Sequence, residues 1–167
     1  MLDNSFKEIV WRQSGAAIDM LENCVAACPE ELWSDREREP QYFYLVYHTL
    51  FFLDLYLSGS LEGFHPPAPF NLDELDPAGV LPERVYTKDE LQNYLEHCRQ
   101  KCRATIRELT EERASTLVEF PWLSMEFAEL LLSNIRHVQH HTAQLNLILR
   151  QTIDSAPRWV KTAKSEL

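Results

Sequence analysis

The chain has 167 residues, 45% of them apolar and 25% charged, which is enough for one hydrophobic core and too apolar for a disordered segment. Its net charge of −10 makes it a poor binder of phosphate backbones, which need clustered Lys and Arg, so no nucleic-acid partner is expected. No apolar run is long enough to span a bilayer, and the N-terminus lacks a basic stretch followed by an apolar one, so no membrane association and a cytoplasmic location are expected.

Residues 4–28 read as a first helix, with Asn4 or Ser5 as its cap. Its apolar stripe is Phe6, Ile9, Val10, Ala17, Met20, Leu21, Cys24, Val25 and Cys28, and Pro29 stops it. A polar linker from Glu30 to Pro40 holds Trp33. Residues 41–58 form a second helix, apolar nearly all round, with Tyr42, Phe43, Tyr44, Tyr47, Phe51, Phe52 and Tyr56; Ser58-Gly59-Ser60 ends it. Residues 59–86 are proline-rich and aperiodic. A connection this long lets the helices on either side run in the same direction.

Thr87 and Glu90 form a capping-box pattern that opens a third helix, about 88–113, with the stripe Leu91, Leu95, Cys98, Cys102, Thr105, Ile106 and Leu109. The pattern frays near Glu111 to Ser115, and Pro121 marks a break. Ser124 can cap a fourth helix, about 124–152, and a short polar tail with Trp159 follows. The expectation is an all-α, single-domain four-helix bundle over 1–167, up-down-down-up, with a long crossover between the second and third helices.

The fourth helix carries three of the six histidines. His137 and His141 are four apart and share one face, while His140 is rotated away. Two imidazoles one turn apart are a common helical half-site for a transition metal, and a catalytic site of the zinc type uses three protein ligands with open positions left over. Among His48, His65, His97, the cysteines and the carboxylates, His48 is the best third ligand. It lies between Tyr44 and Phe52 on one face of an otherwise apolar helix, whereas His65 sits among loop prolines and His97 on a helix flank. Gln144 and Asn134 share the face of the pair and can orient a histidine or a bound water, and Tyr44 and Tyr47 can donate a proton near the site. For each of these, ordinary packing or a structural hydrogen bond is the competing use.

Cys24, Cys28, Cys98 and Cys102 form two pairs spaced four apart, but each falls on an apolar stripe, where cysteine serves as a small core residue. The Glu-x-x-His motifs of a di-iron bundle, His-Glu-x-x-His, a glycine-rich phosphate loop and a serine nucleophile elbow are all missing from the helices.

The run His137-x-x-x-His141-Thr142-Ala143-Gln144, with Tyr47-His48-Thr49-Leu50 on the second helix, resembles the DinB/YfiT-like family. The likeness covers the helix order, the crossover and nearly the whole chain. Ala143 departs from it, where a glycine is frequent. The resemblance implies that His48, His137 and His141 bind one divalent metal, zinc or nickel, leaving positions open for water or substrate. It also implies a metal-dependent enzyme of the thiol S-transferase kind, acting with a low-molecular-weight thiol; a hydrolase is the enzymatic alternative. A non-enzymatic stress-response or binding module with a structural or vestigial site is the reading from a different class. No residue beyond the ligands stands out as a general base, and dimerisation through helix faces is left open.

Overall fold

The computed structural model describes residues 3–167; Met1 and Leu2, which begin the segment read for an export signal, lie outside them. The described chain is mostly helical. In order, it runs α1 (Asn4–Ala27), the one-turn α2 (Glu30–Trp33), α3 (Tyr42–Ser58), a short 3-10 turn (Asp73–Leu75), α4 (Lys88–Glu108), α5 (Glu111–Ala114), β1 (Leu117–Phe120), β2 (Leu123–Glu126) and α6 (Phe127–Ile153).

Each long helix begins or ends where its local chemistry requires. Asp3, rather than Asn4 or Ser5, caps α1: its Oδ1 accepts from the Ser5 amide at 3.0 Å. At the end of α3, Gly59 takes the left-handed conformation (φ 70°), and its amide returns to the Leu55 and Tyr56 carbonyls. The capping box at the start of α4 is fully formed, Thr87 and Glu90 each satisfying the other's backbone amide.

The linker after α1 is more ordered than its polar composition implies. Trp33 is buried in α2 and donates its indole N–H to the Tyr86 carbonyl at 2.9 Å, tying the linker to the end of the crossover. Phe6 and Ile9 are exposed, so the buried face of α1 starts at Val10 and includes Trp11 instead.

The helix predicted from 124 begins later, at Phe127. Residues 117–126 form an antiparallel hairpin in which Leu117 faces Glu126 and Phe120 faces Leu123. Ser124 therefore lies in β2 and caps nothing. The reason is a period-2 pattern in β1, where Val118 and Phe120 point inward while Leu117 and Glu119 point out. The helix predicted to reach 113 likewise stops at Glu108, and Thr110 caps the separate turn α5.

α1 and α3 each pack against both α4 and α6. The fully buried side chains include Trp11, Leu21, Phe43, Leu50, Phe51, Leu55, Tyr94 and Phe127, and each aliphatic or Phe side chain of this kind stabilises the fold by about 1.5–3 kcal/mol relative to exposure. Polar pegs set the register between helices. Lys7 reaches the Arg107 carbonyl at 2.8 Å, Arg99 pairs with Asp19, and Lys88 meets the Cys28 carbonyl. Buried Asp54 of α3 accepts from Tyr94 (3.1 Å) and Lys101 of α4. On α6, Asn134 donates to the Leu53 carbonyl at 3.1 Å.

The tail does not trail into solvent. It lies against α1, with the Ala163 amide on the Arg12 carbonyl (3.0 Å), the Lys164 amide on Asp19 (2.8 Å) and the Trp11 indole on the Ser165 carbonyl (2.8 Å). Among the described residues, no helix is long and apolar enough to cross a membrane.

Candidate metal centre

The α3–α6 contact that seats Asn134 on Leu53 fixes the height at which the two helices face each other. One turn and a half earlier on α3, and one to two turns later on α6, that register brings His48 opposite His137 and His141. The rings lie 5.5 Å (His48–His137), 4.8 Å (His48–His141) and 4.6 Å (His137–His141) apart between centroids. One nitrogen from each falls within 4.8 Å of the other two, and all three residues are partly buried, so the cluster could hold a metal ion.

Two of the three imidazoles are held from behind. His48 Nδ1 lies 2.6 Å from Glu74 Oε1. A carboxylate oxygen accepts, so in the neutral ring the proton sits on Nδ1 and the lone pair on Nε2. His141 Nδ1 lies 2.7 Å from Gln144 Oε1, with the same consequence. A ligating histidine that donates its other N–H to a carboxylate or amide oxygen is the usual outer shell of a metal site.

Glu74 comes from the 3-10 turn of the crossover, its side chain is only 3% exposed, and it also accepts from the Tyr44 hydroxyl at 3.1 Å. The long connection is thus part of the site. Sequence reasoning missed Glu74 because it sits in an aperiodic segment, 26 residues from its partner, and nothing local marks it out.

His137 differs: its Nδ1 is buried and meets no hydrogen-bond partner. An orphaned buried nitrogen is costly in a folded protein, and coordination is one way to satisfy it. Burial, reinforced by His141, His48 and His140, lowers the His137 pKa to about 3. Burial also lowers that of His141 to about 4, against the opposing effect of Gln144. Both rings are therefore neutral at physiological pH, as metal ligation requires. The donor set, three imidazoles with a carboxylate behind one, suits a divalent transition-metal ion.

The other predicted residues fall as follows. Gln144 stands directly behind His141. Tyr44 meets the site through its hydrogen bond to Glu74 and a ring contact with His48 (6.1 Å between centroids). Asn134 spends its amide on Leu53 and has no hydrogen bond to any of the three histidines. His140 is exposed, although its ring touches His141 at 4.9 Å. His65 and His97 are both exposed and away from the cluster, and His97 lies 3.4 Å from Asp54. The four cysteines are free, buried thiols. Burial raises Cys24, Cys28 and Cys102 to about 12 and Cys98 well above the ordinary value, so none has the thiolate character of a ligand or nucleophile.

The DinB superfamily profile matches residues 14–145, a span that contains all three histidines. The chain belongs to the DinB superfamily. A DinB-like protein from Bacillus subtilis, YjoA, shares the fold: the two align with a TM-score of 0.63 over 92% of this chain and 98% of that one, at 17% sequence identity. No functionally curated protein matches the chain. For this DinB-family chain, the family and the three-histidine cluster agree with a metal site.

Proposed function

We propose that His48, His137 and His141 bind one divalent metal ion, zinc or nickel, and that the chain is a metal-dependent enzyme acting on a small molecule, with a low-molecular-weight thiol as co-substrate. The observation that carries the metal reading is the pairing of His48 Nδ1 with buried Glu74 and of His141 Nδ1 with Gln144, which leaves both Nε2 atoms for a shared ion. A bound divalent ion supplies Lewis acidity: it lowers the pKa of a water or thiol and polarises an electrophile. The chain's own residues do the rest. Glu74 and Gln144 fix the two ring orientations, Tyr44 holds Glu74, and the low proton affinity of His137 and His141 keeps both lone pairs available.

Thiol transfer is favoured over hydrolysis by the resemblance of the histidine run to relatives that use small thiols. Glu74, the carboxylate beside the cluster, is spent on His48 and Tyr44 and is not free to act as a base for water. The test is a panel of small thiols with electrophilic partners, run on metal-loaded protein and on His48→Ala. Metal-dependent thiol consumption that disappears in the variant is expected. Turnover of ester or amide substrates without any thiol would replace the transferase reading with the hydrolase one.

We also infer that the four long helices form a single up-down-down-up bundle domain. Three sets of contacts support this. Lys7–Arg107 and Lys88–Cys28 set opposite ends of α1 and α4 together, Cys24 meets Asn146 near the C-terminal ends of α1 and α6, and Leu50–Cys98 with Ser58–Lys101 run in step along α3 and α4.

A further inference from the structure

The histidines are not flanked evenly. On α3, His48, Phe52 and Tyr56 follow one another at intervals of four and form a ladder on one face. Phe52 packs against both His48 (4.9 Å between centroids) and His137 (5.8 Å), and Tyr56 packs edge-on against His137 (6.1 Å). The ladder continues into the hairpin. Trp122 stands in the turn between β1 and β2, stacks on Phe120 (5.6 Å, 18°), meets Phe52 edge-on (6.0 Å) and donates its indole N–H to the Tyr56 hydroxyl at 3.1 Å.

This indole is not core packing. Trp122 is 48% exposed, at the tip of a turn, yet it is fixed by a hydrogen bond and two ring contacts. Exposed tryptophan held rigid is surface prepared for contact, since a flat ring loses little conformational freedom on meeting a partner. Tyr56 receives the indole N–H, and its own proton meets no acceptor among the described residues. Phe52 and Tyr56 therefore line one side of His137, and Trp122 extends that aromatic surface outward from them, with the Tyr56 hydroxyl as a hydrogen-bond donor.

We propose that Trp122, Tyr56 and Phe52 form a substrate subsite beside His137 that takes a flat aromatic group of the molecule bound at the metal. Tyr56 donates to a polar atom next to that group, and Trp122 determines the preference for a flat ring over a saturated one. The hairpin, which interrupts the path from α4 to α6, exists on this reading to place that indole. The proposal rests on the metal reading above, and its experiment separates the two.

Cobalt(II)-loaded protein is titrated with three thiols: ethanethiol, 2-cyclohexylethanethiol and 2-phenylethanethiol. Binding is read from sulfur-to-cobalt absorption. The phenyl compound binds about three- to tenfold more tightly than the cyclohexyl one, the range expected for aromatic face and edge contacts. In Trp122→Ala that ratio collapses to near one, and in Trp122→Phe part of it returns. Circular dichroism and retained cobalt absorption establish that each variant is folded and loaded. A wild-type ratio near one, or a ratio unchanged in Trp122→Ala, overturns the subsite while leaving the metal site standing. Absence of sulfur-to-cobalt absorption with all three thiols overturns the thiol-binding metal reading, and the subsite with it.

Discussion

Replacing Glu74 by alanine tests whether the crossover serves the metal site or merely connects helices. The wild-type contact is short, 2.6 Å from His48 Nδ1 to Oε1, and the Glu74 side chain is only 3% exposed. The substitution frees the His48 ring to rotate or change tautomer and strips the Tyr44 hydroxyl of its acceptor. Loss of such an outer-shell partner weakens metal binding by about 10- to 100-fold, or about 1.4–2.8 kcal/mol. The burial and short length of this contact place the expected loss toward the upper end. Glu74→Gln keeps an acceptor oxygen but removes the charge, and it loses about tenfold or less. Competition with a chromophoric chelator near neutral pH measures all three affinities. If Glu74→Ala binds zinc within twofold of wild type, the carboxylate does not orient a ligand, and the account of the crossover fails.

Three further outcomes follow from the same geometry. In metal-free protein, the folded pKa values of about 3 for His137 and about 4 for His141 lie below the unfolded value. The stability they contribute is therefore complete above about pH 6.5 and is lost as pH falls toward the folded values, beginning above the carboxylate range. Urea unfolding of the apo-protein should show this decline between about pH 6.5 and 4.5, and His137→Phe should flatten it; equal slopes in the two proteins would count against the burial argument. Native protein should leave all four thiols unreacted with an aromatic disulfide reagent until denaturant is added, because each is buried with a raised pKa; rapid labelling of the folded chain would contradict this. Gly15→Ala brings a Cβ to 2.5 Å from the Ala163 Cβ, so the tail must lift from α1 and surrender the Trp11–Ser165 hydrogen bond. Limited proteolysis should then trim the C-terminus faster, and unchanged trimming would show that the strap accommodates the methyl.

Much of this site was legible in the sequence because its residues lie on strongly periodic helices. His137, His141 and Gln144 share a face by spacing alone, and His48 stood out as a polar residue in an apolar helix. The Thr87–Glu90 box marked the start of α4 for the same reason: capping is local chemistry.

What escaped depended on long-range placement or on short signals. Glu74 is one acidic residue among 26 Asp and Glu in the chain, and only the path of the crossover brings it to His48. The strand β1 shows just four residues of alternation, too few to separate from a fraying helix, so the hairpin and Trp122's position went unseen. Asn134 sits on the favourable side of α6, yet Leu53 reaches it first. Tyr44 shares a helix face with His48 by spacing, and its hydroxyl bonds to a carboxylate that no local pattern announces.

On the proposed function, three histidines from two helices share one ion. Elemental analysis of untagged protein measures this directly in wild type, His48→Ala, His137→Ala and His141→Ala. The account predicts about one divalent ion per chain in wild type and loss of that stoichiometry in each variant. Stoichiometric metal that survives in both His48→Ala and His141→Ala would contradict it.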